Sequence, residues 1–261
     1  MGTNAVPQLA GFLADLIFVG CGFAALLYAV WLQVKKPSVA RLGRLSLVVS
    51  FGAVVTLFAL GATQGAPVAL PLFFLFVLMA LFLLLEFLFQ MSALGMLVSL
   101  VGLGVGALHY LPALAWPAIP AVNPVVAYWW VLRDLAVTTG AAVLTLGLGT
   151  AGLLNAYGDR RPSPLVHPND LRDVAALLAR GAVPCFFFGT AAAVMALVRH
   201  PYPRLIDWAA AGLLALILAA SIAWWATAES RRFRGPRGWI LLALNVILLV
   251  AYAARGHLGV G

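Results

Sequence analysis

Eight long apolar runs, separated by short polar or proline-containing stretches, constrain this chain more than any other feature. They fall at about 10–33, 45–64, 67–89, 92–112, 125–155, 181–199, 205–227 and 238–254. A bilayer core is about 30 Å thick, which about 20 apolar residues cross as a helix. In lipid every backbone polar group must be satisfied within the structure, so runs of this length and hydropathy fold as helices. The sequence therefore predicts an all-α polytopic membrane protein. Its expected form is a single bundle of eight transmembrane helices making one transmembrane domain over 1–261. The run at 125–155 exceeds one bilayer thickness, and its end at Leu153–Asn155 is expected to project into water or to tilt.

Composition removes the competing classes. Hydrophobic residues make up 64% and charged residues 9%, with a mean hydropathy of +1.05, where soluble domains carry about 25% charged residues. Soluble enzyme cores, disordered chains, collagen and disulfide scaffolds are excluded. Cys21 and Cys185 both fall inside apolar runs, and no CxxCH or paired CxxC motif is present. The first ten residues hold no Lys or Arg, so the first run reads as a permanent helix rather than a cleaved signal peptide.

The net charge of +8 reads as topology. Lys35, Lys36, Arg41 and Arg44 lie between runs 1 and 2, Arg160, Arg161, Arg172 and Arg180 between runs 5 and 6, and Arg231, Arg232, Arg234 and Arg237 between runs 7 and 8. These twelve share one side, against Arg199, Arg204 and Arg255 on the other. The positive-inside bias places both termini outside. Trp31, Trp224, Trp225 and Trp239 then mark the inner boundary, and Tyr110, Trp116, Tyr128, Trp129, Trp130 and Trp208 the outer one. No basic stripe with interleaved aromatics remains for nucleic acid.

Two connecting segments have character. Pro112, Pro117, Pro120 and Pro124 around Trp116 predict a stiff outer cap over His109–Pro124. On the inner side, 169–180 opens with helix-capping residues and sets Leu171, Val174, Leu177 and Leu178 on one face. It reads as an interfacial amphipathic helix running into the sixth span.

Charges at membrane depth are costly and therefore informative. Glu86 reads as a side chain snorkelling to the inner interface, and Asp15 and Asp207 as outer interfacial residues. Arg133 lies below the Tyr128-Trp129-Trp130 belt. Adjacent helical positions point about 100° apart, which argues against Asp134 as its partner. The open readings are an ion pair with Asp15 or Asp207 on another helix, an outward-facing cation holding a propionate or carboxylate, and simple snorkelling. His109, His200 and His257 lie at outer helix ends and His167 in the inner loop, with no i, i+4 pair. The acids form no buried chain of the kind a proton pump needs. Gly102 and Gly106 make a GxxxG pair suited to close packing within the molecule.

Several stretches resemble the eight-helix membrane proteins of cytochrome c assembly, the CcsA-like and HemX-like group. They are PVALPLFFLFVLMALFLLLEFLFQMSALGMLVSLVGLGVG (67–106), YWWVLRDLAVTTGAAVLTLGLGTAGLLN (128–155), NDLRDVAALLARGAVPCFFFGTAAAVMAL (169–197) and RRFRGPRGWILLALNVILLVAYAARG (231–256). In that family the fifth helix begins with an outer histidine that ligates haem, and Arg133 occupies the matching position here. A tryptophan-rich haem-binding segment precedes the family's seventh helix. This chain has HPYPRLIDW (200–208) there, with Asp207 and Trp208 as its remnant. The family's second outer histidine corresponds to His257.

With the lyase motif not intact, the resemblance implies a non-catalytic protein of cytochrome c biogenesis or haem metabolism in a bacterial-type cytoplasmic membrane. Haem b would be handled at the outer face, with His257 as iron ligand, Arg133 on a propionate, and Asp207 and Trp208 nearby. The implied partners are the lipid bilayer, haem, and other membrane subunits of cytochrome c assembly or tetrapyrrole pathways. The alternative is an accessory subunit of a larger membrane complex that has lost haem binding. A transporter is disfavoured because no inverted repeat or broken helix pair is visible.

Overall fold

The computed structural model describes residues 5–63, 70–107, 110, 124–157, 168–229 and 236–258. Among them are eight α-helices and no strand: α1 Ala5–Val34, α2 Pro37–Thr63, α3 Leu70–Phe89, α4 Leu94–Ala107, α5 Pro124–Tyr157, α6 Pro168–Arg199, α7 Leu205–Glu229 and α8 Pro236–Leu258. Seven are long and apolar enough to cross a membrane. The exception is α4, whose 14 residues span about 21 Å at 1.5 Å per residue. Gly102, Gly104 and Gly106 crowd its C-terminal end and weaken the helix there. The expected proline cap at 111–123, and His109, His167, Arg160, Arg161, Arg231, Arg232 and Arg234, lie outside the described residues.

The chain divides into two compact units, Met1–Trp116 and Pro117–Gly261. In the first, α1 packs against both α2 and α4, and α3 lies against α2 and α4. The α1 core face is read directly from its period: Leu13, Ile17, Cys21, Ala24, Tyr28 and Trp31 are buried at steps of three or four. The opposite face exposes Phe12, Val19, Phe23, Leu26 and Val30. Apolar surface on that scale requires lipid around it.

Close helix approach in this unit is made by missing side chains. A Cβ on Gly102 would lie 2.6 Å from Cys21 Sγ, and one on Gly106 3.1 Å from the Phe18 Cα, so the GxxxG pair seats α4 on α1. Gly95 leaves the space that the Tyr28 ring fills, and a Cβ there would collide with it.

The second unit packs each helix on the next, α5 to α6, α6 to α7 and α7 to α8. The apolar stretch of α5 is 56% buried, whereas that of α8 is only 22% buried. The expected amphipathic segment and the sixth span form one continuous helix, α6. Leu171, Val174 and Leu178 are buried, while Leu177 is 55% exposed, because its position lies about 60° from Val174, about 100° from Leu178 and about 120° from Leu171, past the edge of the face. The apolar face of 169–180 is thus covered by protein rather than laid on the bilayer surface.

Two boundary tryptophans also turn inward. Trp31 and Trp224 are buried, and Trp224 fills the room left by Gly147. Tyr128, Trp208 and Trp239 remain exposed as belt residues should be.

Hydroxyls inside the helices are consumed locally. Ser99, Thr145, Thr150, Thr190 and Ser221 each donate to the carbonyl four residues back, at 2.6–2.9 Å.

Candidate functional site

Among the described residues, two charged groups lie inside the fold. The first is in α5. Arg133 and Asp134 are buried, at 3% and 6% exposure, and they pair with each other. Arg133 Nε donates to Asp134 Oδ1 at 2.8 Å, and Nη2 lies 2.6 Å from the same oxygen. The indole of Trp130, one turn earlier, sits 4.1 Å from the guanidinium carbon as a cation–π partner. Asp134 is thus the partner of Arg133, contrary to the expectation from their angular offset. Arginine's three methylenes let the guanidinium curl back around the helix, so a 100° offset at the Cα does not keep it from its neighbour. The interhelical pair with Asp207 does not form. In the other unit, Asp15 accepts the Tyr110 hydroxyl.

Asp207 belongs to the first turn of α7, where its Oδ2 accepts the Arg204 backbone N–H at 3.1 Å. An acid in the first turn reaching back to the N-cap N–H is half of a capping box, favoured there also by the helix dipole. Trp208 beside it is 56% exposed. His257 lies in the last turn of α8, and its side chain is outside the described residues. Arg133 and Asp207 are therefore both engaged within their own helices.

The second group was missed by reading hydropathy alone. Glu86, near the end of α3, is 2% exposed, not snorkelling. Its Oε1 accepts from Arg44 Nη2 on α2 and from the Ser92 hydroxyl at 2.6 Å. The cause is the turn after α3. Gln90 takes a left-handed backbone (φ 52°), its N–H bonds to the Glu86 carbonyl at 3.0 Å, and the chain folds back so that the Ser92 hydroxyl reaches the acid and α4 packs on α3. Tyr28, also buried, lies within electrostatic reach of both charges. Arg44, spaced from Glu86 by more than forty residues, gave no local sequence signal for this pairing.

No family model, curated protein or solved structure matches this chain.

As chemistry, the α5 group is a neutralised dipole beneath an aromatic rim. One carboxylate oxygen takes two N–H groups, leaving three of arginine's five donors unspent. A guanidinium has no lone pair to offer and stays protonated, so position 133 cannot ligate iron. Among the described residues no cluster of three or more His, Cys, Asp or Glu could hold a metal ion.

Proposed function

We propose that this chain is a non-catalytic HemX-like or CcsA-like membrane protein, serving haem metabolism or cytochrome c biogenesis as an accessory subunit of a larger membrane complex. It sits in a bacterial-type cytoplasmic membrane with both termini outside, as the distribution of basic residues supports. The observation that carries the accessory form is the closed Arg133–Asp134–Trp130 group. It stands where the resembling family has an axial histidine, and it directs its charge into the fold.

A second reading rests on the three unspent donors of Arg133. In it the guanidinium holds a propionate of haem b while His257 ligates the iron, near Asp207 and Trp208. The two readings part in one experiment. The accessory form expects the detergent-purified protein to show no saturable Soret band on haem addition and to copurify in fixed ratio with other membrane subunits. A saturable band that His257→Ala abolishes would overturn that form in favour of haem handling.

A further inference from the structure

We propose that the α1–α2 turn is a binding surface for the phosphate headgroup of an anionic membrane lipid. The α1–α2 connection is only two residues long, Lys35 and Lys36. Lys35 holds a left-handed backbone (φ 57°) that glycine would ordinarily supply, with its N–H bonded to the Trp31 carbonyl at 2.8 Å. Its ammonium lies 5.2 Å from the ring centroid of buried Trp31, and Pro37 opens α2 immediately after. The turn is thus stiff, and it displays cations where a helix-ending glycine would display nothing. Arg41 follows one turn into α2, and Lys35, Lys36 and Arg41 are all exposed.

Charge balance makes this patch unusual. Residues 1–116 contain two acids, Asp15 and Glu86. Asp15 bonds Tyr110 and sits about 30 Å along α1 from Lys35. Glu86 is matched by Arg44. Among the described residues, Lys35, Lys36 and Arg41 have no carboxylate partner, and both acids of residues 1–116 are already engaged elsewhere. Exposed Val34, Leu42 and Leu45 lie within a turn of these cations, so apolar surface begins where the charge stops. That arrangement suits an amphiphile, with phosphate on the cations and acyl chains along the helices, better than it suits a free anion.

The test uses the full-length protein in detergent with mixed micelles of phosphatidylcholine and phosphatidylglycerol, reading retained lipids by native mass spectrometry. Phosphatidylglycerol is expected to be retained preferentially, less so at high salt. Lys35→Ala/Lys36→Ala/Arg41→Ala should lower the preference roughly a hundredfold, at about fivefold per cation. Lys35→Arg/Lys36→Arg/Arg41→Lys should keep it, as should Arg199→Ala/Arg204→Ala, which removes equally exposed charge elsewhere. Equal retention of both lipids, or an unchanged preference in the triple alanine variant, would overturn the proposal. So would an equal loss in the Arg199/Arg204 variant, or displacement by inorganic phosphate at matched concentration.

Discussion

Removing either partner of the Arg44–Glu86 pair breaks the same bond, yet the two losses should differ several-fold in free energy. The Glu86 side chain is 1% exposed and the Arg44 side chain 42%. In Arg44→Met the carboxylate stays inside the protein with only the Ser92 hydroxyl to answer it. Leaving one member of a buried pair uncompensated costs about 3–5 kcal/mol. In Glu86→Gln the amide oxygen still accepts from Ser92, and the arginine, already near half exposed, turns its charge to water. That loss belongs with partly exposed pairs, about 1 kcal/mol or less. The expected gap is therefore about 2–4 kcal/mol in favour of the glutamine variant. SDS titration of the detergent-folded protein, followed by tryptophan fluorescence, gives both values against wild type. Equal losses, or a larger loss for Glu86→Gln, would refute the claim that one-sided burial sets the energetics here.

The α5 pair is buried on both sides, so it should behave symmetrically. Arg133→Met and Asp134→Leu should each cost about 3–5 kcal/mol, while Arg133→Met/Asp134→Leu stays close to wild type, which a double-mutant cycle measures directly. Gly147→Ala should cost about 1–3 kcal/mol through overpacking against Trp224 and be relieved by Trp224→Phe. Gly104→Ala, whose Cβ meets nothing within 4 Å, should be harmless in the same titration. Asp207→Ala should cost about 1 kcal/mol, and hydrogen exchange should show the loosening at 204–208 while protection in α5 is unchanged.

The all-helical order was legible because apolar runs of bilayer length have one backbone solution, although among the described residues only seven of the eight helices are long enough to cross. Helix ends were less so. The second run reads as apolar only from about 45, yet α2 begins at Pro37, because hydropathy reports lipid contact and a helix continues past the lipid into its basic residues. Residues 169–180 and 181–199 differ in polarity but not in backbone, and they form one helix. At the charged sites, pattern reasoning failed for two distinct reasons. Cα geometry understated how far Arg133 can bend, and no local signal marks Arg44 as the partner of an acid on α3. The burial of Glu86 depends on the turn at Gln90, which hydropathy does not encode.

The helix hydroxyls have a bearing on how the chain enters a membrane. A threonine that bonds the carbonyl four residues back needs no second helix, so its segment can leave the insertion machinery with that group already satisfied. Glu86 is different, since its partner is on α2. Synthesis runs from the N-terminus, so Arg44 is in place before α3 emerges, and its long side chain can wait at the interface with its charge in water. The acid then arrives to find its counter-ion present. The order of residues 44 and 86 along the chain lets the Glu86 carboxylate meet its counter-ion as it enters the bilayer.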